Sequence, residues 1–387
     1  MFPFGVNPGT GEDDAADGGG RGPDTVCRLL LHGARYHERD AAFLHWGQGR
    51  QGWGWLPTPD WRADRAAIRV GLVLHQRMQL MEKERVALWI PLDDRWGVVE
   101  RGVWSVGAVS VPVWPEWPLE RVAAVLEDAA PAVLFAPDVG AIQALRAIGG
   151  FPESVQTTIP LRASEASGED WLSYDKLMEY GGVLDTPERA SMWRTYNRAV
   201  EPDAVISYEY GAGDAAPGEP SFPGERREMD HGTIVGLAEA LARKFPARQG
   251  RVQVLAVSRP TLLARALLYA GWADGLTRTA FAAGRPAQER VGELAPALAL
   301  CDGKDAPLVL QGMMGASADE PVGRLGGPLR LRRANGASPA AARAVEAWVV
   351  VADGPASPDL VATSGRIRLL AAAELEGELN GSVASGP

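Results

Sequence analysis

The segment Glu84-Arg85-Val86-Ala87-Leu88-Trp89-Ile90-Pro91 is the clearest indicator of the fold of this chain. Residues 86–90 form an unbroken apolar run, which is typical of a strand buried on both faces of a parallel sheet. Pro91 ends the strand because proline has no backbone N–H to donate. Trp96, Val99, Val103 and Val106 then repeat at helical spacing, and residues 109–113 have the composition of a second strand. This strand–helix–strand unit predicts two parallel strands joined by a covering helix.

The same alternation extends in both directions from Gly52 onward. Trp61, Ile68 and Leu72 predict a helix before the unit, and Leu119, Val122 and Leu126 predict one after it. Further strands are predicted at residues 132–135, 205–208, 252–257, 298–301, 329–331 and 348–351, and further helices at 234–245 and 340–347. Residues 149–199 are polar with weak periodicity, so we expect an irregular connection between two halves of the sheet. The chain is therefore expected to be an α/β protein.

Composition restricts the functional classes. The 387 residues are 46% hydrophobic with a net charge of -10, which favours a soluble globular protein and argues against nucleic acid as a partner. Residues 98–114, the most apolar later stretch, are interrupted by charges, Gly107 and Pro112, so no transmembrane segment is predicted. Cys27 and Cys301 lack metal-ligand spacing, and a cytoplasmic location is expected. Predicted units are a disordered tail at 1–24, one domain at 25–370 and a loose tail at 371–387.

Several segments, in this order and spacing, resemble adenylate-forming (AMP-binding, acyl-CoA synthetase-like) enzymes. They are residues 84–91, 107–112, 128–135, 229–234 and 325–330. Residues 294–300 resemble long-chain acyl-CoA synthetases in particular. The resemblance implies an N-terminal domain of two mostly parallel sheet subdomains flanked by helices, with the family's C-terminal lid domain absent.

The family's phosphate loop is rich in Ser, Thr and Gly, ends in Pro-Lys-Gly and wraps the phosphates of ATP. Here residues 208–218 stand in its place as Tyr-Glu-Tyr-Gly-Ala-Gly-Asp-Ala-Ala-Pro-Gly. The degenerate positions are Tyr208, Tyr210, Gly211, Gly213, Pro217 and Gly218. Tyr210 stands where a hydroxyl donor is expected and Pro217 near the lysine. Glu209, Asp214 and Glu219 are expected to repel a triphosphate, while Arg226 and Arg227 are the only compensating charges nearby.

By the same resemblance, other family motifs also lack their expected ligand-binding residues. The motif that contacts adenine and holds magnesium should follow the strand ending at Val351, where only a glycine of Ala-Asp-Gly-Pro-Ala-Ser is retained. By resemblance, the ligand-pocket positions are His231, Asn335, Gly336, Asp353 and Gly354. No catalytic residue, no metal site and no cofactor are expected. Since residues acting as a unit give little when repaired singly, restoring Lys at Pro217 alone should not create activity.

Rival interpretations of the same residues are weaker. Residues 211–216 fit the G-x-G-x-x-A dinucleotide fingerprint, but Pro217 and Pro220 prevent the helix that the pyrophosphate requires. Walker-A glycine spacing places Glu219 at the lysine position, with the wrong charge. His231 is interpreted as a helix-terminal residue near solvent, and Asp93-Asp94 as a helix cap. Most of the tryptophans between Trp46 and Trp117 are expected in the core, with an aromatic acyl-binding wall as the alternative.

The favoured function is a catalytically degenerate acyl-CoA synthetase-like protein that acts by binding or as a subunit. The expected partners are a protein at the position of the absent lid and an acyl or nucleotide ligand. The alternative is a fatty acid–CoA ligase that uses ATP, magnesium and CoA with a substitute phosphate loop and a lid supplied in trans. A third alternative is a gene product without a selected role, although the preserved hydrophobic periodicity argues against it.

Overall fold

The computed structural model describes residues 24–36, 41–50, 52–162, 171–210, 225–245, 251–257, 259–273, 277–282, 284–294, 296, 298–302, 304–315, 347–351 and 367–371. Its helices are α1 Val26–Tyr36, α2 Asp60–Gln76, α3 Asp94–Trp104, α4 Leu119–Ala129, α5 Val139–Ala147, α6 Tyr174–Leu184, α7 Pro187–Arg198, α8 His231–Lys244, α9 Leu262–Ala273, α10 Arg285–Glu289 and α11 Ala306–Gly315. Its strands are β1 Ala41–Gly49, β2 Gly52–Pro59, β3 Arg85–Leu88, β4 Val109–Pro112, β5 Val133–Asp138, β6 Thr157–Arg162, β7 Val205–Tyr210, β8 Arg226–Asp230, β9 Arg251–Ala256, β10 Thr277–Phe281, β11 Leu298–Cys301, β12 Ala347–Val351 and β13 Ile367–Ala371.

The strands form two sheets. One has the order β13-β12-β11-β9-β10-β1-β2, and the other has the order β6-β5-β3-β4-β7-β8. Every neighbouring pair is parallel except β1 with β2 and β7 with β8, which lie at sheet edges. The predicted fold class, with two mostly parallel sheets flanked by helices, is confirmed.

The segment that most clearly indicates the fold lies at the centre of the six-stranded sheet. β3 pairs in parallel with β4, with Val86 opposite Ser110, and with β5, with Val86 opposite Val133. Val86 and Leu88 are fully buried, as expected for a strand covered on both faces. The cap prediction is also confirmed, since the Asp93 carboxylate accepts hydrogen bonds from the backbone N–H groups of Arg95 and Trp96 at the start of α3.

One large core cluster joins the two sheets. It contains residues of the six-stranded sheet such as Val86 and Phe135, and residues of the seven-stranded sheet such as Phe43 and Phe281. The covering helices α2, α3, α8 and α9 contribute to the same cluster. The sheets are therefore held in a fixed relation by buried apolar surface as well as by the polar contacts described below.

One expectation about the fold is wrong. Residues 149–199 are not irregular, because they contain β6, α6 and α7. Of α7, only Ala190, Trp193 and Asn197 are buried, so its sequence shows too few apolar positions for a clear period. Trp61 shares the helical face of Ile68 and Leu72 but is half-exposed, since it lies in the first turn of α2 beyond the edge of the core.

The tryptophan expectation is confirmed for most of the group. Trp55, Trp89, Trp96, Trp104 and Trp117 are buried, whereas Trp53 is exposed. The predicted strand at 329–331 and the predicted helix at 340–347 lie outside the described residues. Among the helices that the structure describes, none is long and apolar enough to cross a membrane.

Candidate functional site

A cleft of about 630 Å³ lies at the carboxyl ends of three neighbouring parallel strands, β9, β10 and β11. Val257 follows β9, Ala282 follows β10 and Asp302 follows β11, and all three line the cleft. Pro91 and Leu92, which follow β3 of the other sheet, also line it. Because β10 and β11 flank β9 on opposite sides, the strand order reverses here, and ligands of open α/β sheets bind at such a reversal. The volume is within the range of about 300–1,000 Å³ that is usual for small-molecule sites.

The cleft carries charges of both signs. Arg285 and Lys304 line it together with Asp302 and Asp305, and Gln288 adds an amide. The Arg285 guanidinium also contacts Glu289 one turn further along α10, at 2.8 Å. No aromatic side chain is among the described residues that line the cleft, which leaves the aromatic acyl-binding wall without support here. The lining suits a ligand with polar or charged groups at the strand ends.

The described beginning of the segment predicted to stand in place of the phosphate loop is the end of β7. Tyr210, its last residue, is buried, and its hydroxyl donates a 2.6 Å hydrogen bond to the Asp128 carboxylate. Burial, together with Asp128, raises the pKa of Tyr210 well above its usual range, so this hydroxyl stays protonated. Arg226 on β8 lies 3.4 Å from Asp128 and stacks over the Tyr208 ring at 4.8 Å. Arg226 therefore contacts Tyr208 directly, and Arg226 and Tyr210 share the Asp128 carboxylate of α4.

The Glu209 charge is directed into the protein, which corrects the expectation that it would repel a phosphate group at the loop. Its carboxylate forms an ion pair with the Arg265 guanidinium and accepts a 2.6 Å hydrogen bond from the Ser207 hydroxyl. The Glu209 side chain is 17% exposed and Arg265 is fully buried. The negative charge is thus balanced locally by a residue of α9.

Arg265 belongs to a buried polar cluster that sequence inspection missed. Its guanidinium contacts both oxygens of Glu100 on α3, at 2.7 and 3.2 Å, and the side chains of both residues are fully buried. Glu100 also accepts hydrogen bonds from Trp96 Nε1 at 3.0 Å and from the Tyr269 hydroxyl. The Glu100–Arg265 pair is 165 residues apart in sequence, so no local pattern could indicate it.

His231 begins α8 as predicted, but the interpretation that it lies near solvent is wrong. Its side chain is 1% exposed and packs edge-on against Trp104, with ring centroids 6.4 Å apart. The preceding Asp230 caps the helix by accepting from Thr233 N–H at 2.6 Å. Burial lowers the pKa of His231 to about 4, because the low-dielectric interior disfavours the imidazolium ion. His231 is therefore neutral near pH 7.

The structure does not bring His231 together with Tyr210, the last phosphate-loop position among the described residues. In the β7–β8 hairpin, Val205 pairs with Asp230 and Tyr210 pairs with Arg226. His231 thus lies beside the amino end of β7, where its backbone N–H donates a 3.3 Å hydrogen bond to the Ala204 carbonyl oxygen. Tyr210 lies at the opposite, carboxyl end of β7. The remaining predicted positions lie outside the described residues: Gly211, Gly213, Pro217, Gly218, Asn335, Gly336, Asp353 and Gly354.

Two further features concern metal binding and nucleophilic chemistry. Within the part of the chain that the structure describes, no group of three or more His, Cys, Asp or Glu side chains could hold a metal ion. Cys301 ends β11 beside the cleft-lining Asp302, and burial raises the pKa of its thiol to about 12. It therefore stays a protonated thiol and is a poor nucleophile near neutral pH.

Comparison with known proteins gives a consistent result. Residues 62–206 match the family of AMP-binding enzymes. The N-terminal domain of FACL13 from Mycobacterium tuberculosis is 17% identical with a TM-score of 0.63, and the alignment covers 90% of this chain and 75% of that domain. A long-chain-fatty-acid-CoA ligase, FadD1, from Archaeoglobus fulgidus is 11% identical with a TM-score of 0.63, covering 90% of this chain and 63% of that protein.

A fatty acyl CoA synthetase from Mycobacterium tuberculosis is 17% identical with a TM-score of 0.62, covering 89% of this chain and 58% of that protein. This chain thus spans little more than half the length of that synthetase. No curated protein matches the sequence significantly. The described chain has the fold of the N-terminal domain of the adenylate-forming superfamily, and its residues 62–206 match the AMP-binding enzyme family in sequence.

Proposed function

We propose that this protein binds a polar small molecule in the carboxyl-end cleft and does not form an acyl-adenylate. The observation that carries the proposal is the state of the phosphate-loop positions at the end of β7. Tyr210 donates its hydroxyl to Asp128, and Glu209 is paired with Arg265. In the family, this segment supplies donors to the phosphates of ATP. Two of these positions are instead engaged with protein side chains here.

A triphosphate does not fit these two positions as they stand. Binding at Tyr210 would require its buried hydroxyl to leave the Asp128 carboxylate, which is about half exposed, and hydrogen bonds to charged groups contribute at most roughly 1.5–3 kcal/mol each. Turning Glu209 toward the loop would separate it from Arg265 and place a carboxylate beside the phosphates. Both changes oppose ATP binding, which supports a binding role over a ligase role.

The ligase alternative is tested by pyrophosphate exchange. We expect no carboxylic-acid-dependent exchange of pyrophosphate into ATP above a heat-killed control, over a panel of fatty and aromatic acids, while an active acyl-CoA synthetase exchanges under the same conditions. Exchange above the control would overturn the degenerate assignment. It would favour a fatty acid–CoA ligase with a substitute phosphate loop.

The binding role is tested by calorimetry with AMP, ATP, acyl-CoA and free fatty acid, followed by variants. Lys304→Glu reverses one charge in the cleft. For an anionic ligand, we expect this variant to lower the binding affinity by about tenfold or more. Lys176→Glu makes the same change at an exposed position on α6 and should leave affinity unchanged. Equal effects of the two variants on affinity would show that the ligand does not bind in the cleft.

A protein that copurifies in stoichiometric amount and protects the cleft residues would identify the partner predicted from the sequence.

A further inference from the structure

A second cavity lies at the opposite end of β3 from the cleft. Its volume is about 130 Å³, which admits only a molecule much smaller than the ligands of typical pockets. Leu80, Met81 and Glu82 line it from the loop between α2 and β3, His75 lines it from α2, and Trp193 and Tyr196 line it from α7. These residues surround the amino end of the six-stranded sheet. The proposed cleft function does not use them.

Three rings form much of the wall. The His75 and Trp193 rings lie 6.3 Å apart at 50°, and the Trp193 and Tyr196 rings lie 6.1 Å apart at 34°. Trp193 is 3% exposed, and its Nε1 has no hydrogen-bond acceptor among the residues that the structure describes. A buried donor without an acceptor is costly, so an oxygen atom of a ligand within reach would be favoured.

The charge on the cavity wall is negative. Glu82 lines the cavity, and neither lysine nor arginine is among the described lining residues. A Cβ at Gly107 would lie 2.8 Å from the Tyr196 hydroxyl and 2.9 Å from Glu82 Cγ, so these two side chains converge on the same point. Burial, reinforced by the Glu82 charge, raises the pKa of Tyr196 to about 12. Tyr196 therefore remains a neutral phenol, and Glu82 supplies the charge.

We propose that this cavity binds a small organic ammonium ion of about the size of choline. Aromatic faces attract a cation through the quadrupole of the ring, and cages of aromatic rings bind quaternary ammonium groups in this way. The Glu82 carboxylate strengthens the attraction and opposes anions.

Calorimetric titration with choline chloride, and with its neutral isostere 3,3-dimethylbutan-1-ol, tests the proposal. Both molecules have the same shape and hydroxyl, so the comparison isolates the charge. We expect saturable choline binding at millimolar concentration and about tenfold weaker binding of the isostere, a difference of about 1.4 kcal/mol. Equal affinity for the two, or tighter binding of the isostere, would show a plain apolar cavity and overturn the proposal, as would no saturable choline binding at tens of millimolar.

A pair of charge-removing variants locates the site. Glu82→Gln removes the carboxylate that lines the cavity, and we expect choline affinity to fall about fivefold or more while the isostere is unaffected. Glu153→Gln removes the same charge at an exposed position away from the cavity and should change neither affinity. Thermal unfolding of both variants establishes that they are folded. Choline binding that is unchanged in folded Glu82→Gln protein would place the ligand elsewhere and refute the assignment.

Discussion

At the residue scale, burial rather than sequence position sets the chemistry of His231. The family resemblance places this residue at a helix start, and a helix start is usually accessible to solvent. Here it lies under Trp104, with only 1% of its surface exposed. The pKa of the imidazole falls to about 4 because charging it would require burying an ion.

This pKa predicts acid sensitivity of the folded state. Between about pH 6.5 and 4 the unfolded chain binds a proton at His231 that the native chain does not, so stability is present above this window and is lost as pH falls through it. The full loss is about 3 kcal/mol below pH 4. Urea unfolding at pH 7, 5.5 and 4.5 should show this loss in the wild type and not in His231→Leu. His75 is half-buried, and the control variant His75→Gln should still lose stability as the pH falls. Parallel pH profiles of stability for the wild type and His231→Leu would contradict the prediction.

At the element scale, two glycines determine how closely α2 and α3 pack. A Cβ at Gly102 would lie 2.6 Å from Val70 Cγ1 and 3.0 Å from the Ala67 carbonyl oxygen. A Cβ at Gly71 would lie 2.5 Å from Trp193 and 3.1 Å from the Gly102 carbonyl oxygen. The two helices therefore touch at backbone distance, and α3 carries Glu100 into the buried cluster.

Gly102→Ala is predicted to destabilise the protein by about 1–3 kcal/mol, because the added methyl group overpacks a contact made partly by backbone atoms. Gly236→Ala on α8 is the matched control, since its Cβ would meet nothing within 4 Å. There, lower entropy of the unfolded chain should raise stability by about 0.4–1 kcal/mol. Denaturant unfolding of both variants checks the opposite signs. A stabilised Gly102→Ala variant would show that the helices can separate without cost.

At the scale of the whole molecule, the Glu100–Arg265–Glu209 cluster connects the two sheets. Glu100 lies on α3 and Glu209 on β7, both part of the six-stranded half. Arg265 lies on α9, which connects β9 to β10 of the seven-stranded sheet. A single guanidinium therefore bridges the halves beneath the end of β7.

Arg265→Met should lower stability by about 3–5 kcal/mol, because it leaves buried carboxylates without their counter-charge. Adding Glu100→Gln to this variant should recover part of the loss, since one of the uncompensated charges is removed. Arg243→Met breaks the exposed pair with Glu239 on α8 and should cost less than about 1 kcal/mol. Chemical unfolding of the set measures the coupling. A loss no larger for Arg265→Met than for Arg243→Met would rule out the bridging role.

The parallel α/β architecture and the cap at Asp93 could be predicted from local sequence patterns. Residues 86–90 form a continuous apolar run and Trp96 to Val106 repeat at helical spacing, and such local periodicity reports directly which faces must be buried. The family resemblance also predicts that residues 208–218 lack the family's phosphate ligands, and this stays a prediction. Segments with few buried positions, such as α7, show no clear apolar periodicity, so their secondary structure could not be predicted in this way.

The positions of charges and cavities depend on tertiary contacts. Glu209 could be identified as an altered position, but its pairing with Arg265 depends on a contact between residues 56 apart. The environment of His231 depends on Trp104, and the second cavity joins α2, the loop before β3 and α7. Local periodicity shows which face of an element is buried and does not show what it meets. These contacts follow from how distant elements pack, because burial and electrostatic pairing depend on spatial distance and not on separation along the chain.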